Sequence, residues 1–189
     1  QELAAVRWED MAVVFQKAMN ALSPVHRIGQ FLSDIYLLHR PRASKAEAKE
    51  AVIGRLELVN LPPRVFQLYP HELSGGRMQR VSIAMSLLFH PKLLIMDEAT
   101  TALDVVTQNQ ILEEIVQLEE KMGSTRIMIT HDISVVAGTC KNVAVLYAGS
   151  LLEFGPAEEV LVEPLHPYTR GLIDSFPRFD AAGKKPLVS

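Results

Sequence analysis

The stretch Leu73-Ser74-Gly75-Gly76-Arg77, followed after a helix-length segment by Leu93-Leu94-Ile95-Met96-Asp97-Glu98, decides how this chain reads. A serine and two glycines opening a helix make an anion-binding end, because the free backbone N–H groups and the helix dipole both favour a phosphate there. The second segment is an apolar run of strand length that stops at two adjacent carboxylates. Four buried apolar residues before Asp97 predict a pair of acids at a sheet edge, one suited to direct a metal and one to act on water. Together the two segments read as half of a nucleotide-hydrolysing site. The other half, a phosphate-cradling G-x-x-x-x-G-K-[ST] loop, has no counterpart in the 189 residues.

Bulk properties narrow the class. The length suits one domain, and 48% hydrophobic content is ample for a core. A net charge of −3 gives no basic footprint, so nucleic acid is not expected as a partner. No apolar run approaches the roughly 18 residues of a membrane span, and Gln1 to Asp10 do not read as a signal peptide. A single cysteine, Cys140, excludes an internal disulfide, fits a reducing cytosol and reads as a buried or half-buried bystander. Both ends look unfinished, which predicts a piece of a longer protein.

Periodicity sets out the elements. Met11 to Phe15 predicts a strand with Gln16 at its end, and Ala18 to Leu38 reads as partly helical with a break near Ser23-Pro24. Ser44 and Glu47 form a capping box for a helix carrying Ala48, Val52, Leu56 and Val59 on one face. A further helix is expected from about Ser74 to Phe89, with Val81, Ala84, Met85 and Leu88 as its single buried face. From Leu93 onward strands and helices alternate. Asp104 caps a helix that stops at Gly123, Arg126 to Thr130 is a strand ending at His131, and Asp132 caps a short helix. Val143 to Tyr147 and Leu151 to Phe154 form a hairpin across Ala148-Gly149-Ser150. The fold class expected is α/β, with a parallel sheet core and a largely helical insertion.

The chemistry-bearing candidates follow from position. Asp97 suits a magnesium ion, and Glu98, one residue nearer the open edge, suits the attacking water. Ser74, Gly75 and Gly76 offer a hydroxyl and unobstructed amides to a phosphate oxygen, against the plainer reading of an ordinary helix cap. His131 and Gln16 both sit at strand ends, where side chains reach the open edge of a sheet. His26, His39, His71, His90 and His166 show no metal-ligand spacing and read as structural or exposed.

Taken in order, these residues resemble the ATP-binding subunit of ABC transporters, a truncated P-loop NTPase in fold. Phe15-Gln16 resembles the Q-loop and Leu73 to Arg77 the signature. Leu93 to Asp97 resembles Walker B, with Glu98 as the catalytic carboxylate. Ala102-Leu103-Asp104 is similar to the D-loop and His131 to the switch histidine. The blocks Ala18 to Pro24, Thr100 to Val105 and His166-Pro167-Tyr168-Thr169-Arg170-Gly171-Leu172 resemble the oligopeptide, dipeptide and nickel importers in particular.

That resemblance implies ATP and Mg²⁺ as ligands, with Glu98 and His131 catalytic. Gln16, Ser74, Gly75, Gly76, Asp97 and Asp104 would face the nucleotide, with Asp97 and Gln16 toward the metal. It implies a second ATP-binding subunit, identical or related, that completes each pocket. It also implies transmembrane permease subunits served by an extracytoplasmic binding protein, and a peripheral place on the cytoplasmic face of the membrane. The domains it implies are 1–17 for the strand and Q-loop, 18–88 for the helical signature subdomain, 89–155 for the α/β core and 156–189 for a C-terminal extension. Arg77 stands where glutamine is usual and Ala99 where proline is usual. Without the Walker A loop, these residues alone are expected neither to bind ATP tightly nor to hydrolyse it. Two other readings stay open: a chromosome-maintenance or DNA-repair ATPase, disfavoured because residues 17–73 carry no heptads, and a degenerate partner subunit, disfavoured by the presence of Glu98 and His131.

Overall fold

Three parallel strands, β1 (Met11–Phe15), β2 (Leu93–Asp97) and β3 (Thr125–Ile129), lie side by side in that order. This computed structural model describes residue 6 and residues 8–15, 22–100 and 103–175, so Gln16 and Ala102 lie outside the described residues. The register aligns Phe15, Asp97 and Ile129 in one row, so all three strands end at the same edge. Parallel strands need long crossovers, and the chain supplies them as helices. Between β1 and β2 come α1 (Ile28–His39), α2 (Lys45–Leu58), two short 3₁₀ helices (Pro63–Gln67 and Pro70–Glu72) and α3 (Gly75–Ser86); between β2 and β3 comes α4 (Val105–Met122).

Local chemistry sets the helix boundaries. The Ser44 hydroxyl accepts from the Glu47 N–H while the Glu47 carboxylate accepts from the Ser44 N–H, the expected capping box at the start of α2. Asp104 caps α4 by accepting from the Thr107 N–H at 3.0 Å, and Gly123 ends it in the left-handed region at φ 63°. Where a partial helix was expected over 18–38, the described part is α1, beginning four residues after Pro24; residues 16–21 lie outside the description.

Two sequence expectations change with packing. The four apolar residues before Asp97 are not all buried: Leu94 and Met96 are, whereas Leu93 and Ile95 are half-buried. Alternation is the reason, since successive side chains point to opposite faces. The core face carries Ala12, Val14, Leu94 and Met96, while Phe15, Ile127 and Ile129 on the other face are about half exposed or more. Helix α3, in turn, is buried on more than one side, with Gln79, Val81, Ser82, Ile83, Ala84, Met85 and Ser86 all inside. It packs against α2, α4 and β1, so its surroundings rather than its own periodicity decide its burial.

Residues 1–131 form one compact unit and 132–189 another. In the first, a single apolar cluster unites the sheet with the helices, and Leu32, Val52, Leu56, Val65 and Val81 are wholly inside it. The second unit holds α5 (Ile133–Thr139), the antiparallel hairpin of β4 (Asn142–Tyr147) and β5 (Ser150–Pro156), α6 (Ala157–Val162) and α7 (Pro167–Asp174). The hairpin turns at Ala148 and Gly149, both at positive φ, which matches the right-handed twist of paired strands. Asp132 caps α5 through the Ser134 N–H, as the sequence predicts.

Candidate functional site

Glu98 follows β2 directly and His131 lies two residues past the end of the adjacent β3. Pairing of β2 with β3 brings their side chains together: His131 Nδ1 donates to Glu98 Oε1 across 3.0 Å. The bond fixes the tautomer, because a carboxylate only accepts, and it leaves the second ring nitrogen for a ligand. The His131 side chain is 71% exposed and that of Glu98 32%, so the imidazole is the more open of the two.

The backbone at Glu98 is unusual. Its φ is +46°, a left-handed conformation that a non-glycine residue adopts only when its surroundings impose it. The constraint is visible on both sides. The Glu98 N–H donates to the Ile129 carbonyl at 2.9 Å, extending the β2–β3 ladder one residue beyond Asp97. Ala99 and Thr100 are then buried, and the Gln108 side chain on α4 donates to Thr100 Oγ1 at 3.3 Å. The chain therefore turns sharply at Glu98, which carries the carboxylate out of the strand direction. Gln108 escaped sequence analysis. Its one signal was a polar residue four positions after a capping aspartate, on the side of the helix that must pack inward.

Asp97, the last residue of β2, is half-buried at the same edge. A carboxylate is a hard oxygen donor that suits Mg²⁺, which is usually held by one or two carboxylates and keeps several waters. Among the described residues no three His, Cys, Asp or Glu groups gather into an all-protein metal cage.

The glycine-led turn forms a separate site. Ser74 is exposed and precedes α3, yet its side chain makes no capping bond to the helix. Ser74 thus holds the N-cap position of a twelve-residue helix in backbone conformation, without the side-chain bond of an ordinary cap. A Cβ built at Gly75 would meet nothing within 4 Å, so an incoming group has clear access there. Ser74, Gly75, Gly76, Arg77, Arg80, Asp104 and Thr107 line one cavity of about 510 Å³. Neither Asp97, Glu98 nor His131 lines it.

Asp104 lies on that cavity with both carboxylate oxygens engaged: Oδ1 accepts from the Thr107 N–H at 3.0 Å and Oδ2 from the Thr107 hydroxyl at 2.7 Å. These bonds, the backbone one foremost, hold its carboxyl below the usual aspartate range. The remaining histidines are engaged locally or exposed; His26 bonds Ser23, and His166 caps α7 by accepting from the Tyr168 N–H. Cys140 is half-buried at the end of α5. The structure thus divides the sequence candidates into two groups, a carboxylate–imidazole pair at the strand ends and a serine–glycine turn beside Asp104.

Comparison with known proteins agrees in its terms. The pattern of the ABC transporter family matches residues 4–101, and that of the oligopeptide/dipeptide transporter C-terminal region matches residues 152–188. The chain is 46% identical over 190 residues to the oligopeptide transport ATP-binding protein OppD of Salmonella typhimurium, covering 100% of this chain and 56% of that protein. It is 43% identical over 185 residues to the dipeptide transport ATP-binding protein DppD of Bacillus subtilis, covering 97% and 55%. The chain thus spans about half the length of the curated relatives it matches. Among solved structures, cbiO1 from Clostridium perfringens, part of the ABC transporter complex cbiONQ, superposes with a TM-score of 0.73 at 30% identity over 82% of this chain and 60% of its own. The dimeric ATP-binding cassette MJ0796 bound to ADP and Pi gives 0.71 at 28% identity, over 82% and 66%.

Proposed function

This chain belongs to the ABC transporter family, and from that premise we propose that it is part of an ATP-hydrolysing subunit energising uptake of peptides or related solutes through a membrane permease. The observation that carries the reading is the bond between Glu98 and His131 at the open ends of two parallel strands, with Glu98 held in a left-handed turn. Glu98 accepts a proton from the attacking water. The imidazole orients the carboxylate through Nδ1 and offers its other nitrogen to the phosphate being transferred. Asp97 and Gln16 are the residues that would hold Mg²⁺, which would supply neutralisation of charge on the phosphates.

The separation of the two groups of residues supports a pocket shared between two subunits. Ser74, Gly75 and Gly76 line a cavity that Asp97, Glu98 and His131 do not, so in this reading one chain's glycine-led turn serves the nucleotide held by its partner's strand ends. In this reading residues 18–88 form the helical subdomain that meets the permease, 1–17 and 89–155 belong to the α/β core, and 156–189 begin the C-terminal extension. Asp104 faces the subunit boundary. We place the missing phosphate cradle in the part of the relatives' length that these 189 residues do not span. The proposal includes a peripheral seat on the cytoplasmic face; no helix among the described residues is long and apolar enough to cross a membrane.

The test uses the full-length protein carrying this sequence. Glu98→Gln keeps the size of the side chain and an oxygen to accept from His131 but removes the base. ATP turnover is expected to fall on the order of 10²–10⁴-fold with nucleotide affinity retained. Turnover unchanged by the substitution would sink the proposal.

A further inference from the structure

Helices α3 and α4 meet at two points next to the cavity that holds Ser74 and Asp104. A Cβ built at Gly76 would lie 2.7 Å from Thr107 Cγ2, closer than side chains tolerate, whereas the next nearest atom of Thr107 is 3.9 Å away. That methyl has little freedom to retreat. Thr107 is β-branched on a helix, and its hydroxyl donates to Asp104 Oδ2 at 2.7 Å, so turning the side chain would break the bond. One turn further along α3, Arg80 Nη1 donates to both oxygens of Glu114 on α4, at 2.6 and 2.7 Å, and to the Val59 carbonyl that closes α2 at 3.1 Å. Both charged side chains are largely buried, 13% and 17% exposed.

From these contacts we infer that Thr107 and Arg80 are positioning residues that lock the glycine-led start of α3 to the start of α4, making Ser74 and Asp104 one rigid edge. Gly76 is then a glycine chiefly because Thr107 packs on it. Gly75, with nothing within 4 Å of its missing Cβ, is the residue left open for a ligand. The inference rests on the proposed ATPase function, since that edge matters to catalysis only if it completes a partner's nucleotide pocket. A shift of about 1 Å in such an edge can cost on the order of 100-fold in rate.

Steric compensation in the full-length protein provides the test. Gly76→Ala is expected to lower kcat for ATP by about 100-fold with a smaller change in KM. Thr107→Ser removes Cγ2 while retaining the hydroxyl bonded to Asp104. The double variant Gly76→Ala/Thr107→Ser is therefore expected to recover at least about tenfold over Gly76→Ala alone. Should Gly76→Ala fail to accumulate as folded protein, recovery of a cooperative melting curve in the double variant answers the same question. A double variant as slow as the alanine variant, or Gly76→Ala at the parent rate, overturns the inference. Absence of turnover in the parent protein above its Glu98→Gln background would instead overturn the proposed function.

Discussion

Replacing Arg80 by methionine probes how the two helices beside the cavity are held. The substitution keeps most of the side-chain length and apolar stem but deletes three donated contacts, two to Glu114 and one to the Val59 carbonyl. Removing one partner of a buried ion pair costs about 3–5 kcal/mol, mostly because the other charge is left inside without compensation. Glu114 keeps 17% exposure, enough for water to reach it from one side, so the lower end, about 3 kcal/mol, is the expected loss. For a domain of this size that corresponds to a fall in Tm of roughly 6–12 °C. Replacing both partners, Arg80→Met with Glu114→Leu, should bring stability back to within about 1 kcal/mol of the parent, since a buried pair exchanged for apolar groups of similar volume is often neutral. Urea unfolding followed by circular dichroism measures all four corners of the cycle. A loss below about 1 kcal/mol for Arg80→Met, or a double variant whose loss equals the sum of the singles, would refute the claim that this pair is a coupled tie.

Two further outcomes follow from the packing and the caps. Leu56 is fully inside the main cluster, so Leu56→Ala should cost about 2–5 kcal/mol, read as a drop in the urea midpoint, and a smaller change would mean the cluster collapses into the space. The Glu47 carboxyl is held below its ordinary value of 4.5, first by the Ser44 backbone bond of the capping box. Its folded pKa is lower than its unfolded one, so its contribution is complete above pH 4.5 and is lost as pH falls through the folded value. Glu47→Gln, which caps without titrating, should flatten that part of an acid stability profile, and an unchanged slope would remove Glu47 as a source.

The caps were legible because each is a bond across three residues of chain. Ser44 with Glu47, Asp104 as the cap of its helix and Gly123 as its stop need only local spacing, and the structure has all three, with Thr107 as the donor to Asp104. The strands were legible for a similar reason, as short apolar runs ending at turn-forming or charged residues. Burial was less so. The run before Asp97 reads as uniformly apolar, and only the pleat and the single packed face make Leu94 and Met96 interior while Leu93 and Ile95 are not.

By itself, then, the sequence determined the family and the α/β class, and it singled out Ser74, Asp97, Glu98 and His131 as candidates, since motif order is a property of the chain alone. Tertiary structure decided what those groups touch. The pairing of β2 with β3 joins Glu98 to His131, thirty-three positions away, at a residue whose φ is positive. The crossing of α3 and α4 sets Gly76 on Thr107 and Arg80 on Glu114, and the cavity there is lined by the glycine-led turn without the acidic pair. Spacing along a chain fixes local hydrogen bonds, but which distant side chains share a boundary depends on how helices and strands pack, and that is settled only once the whole core closes.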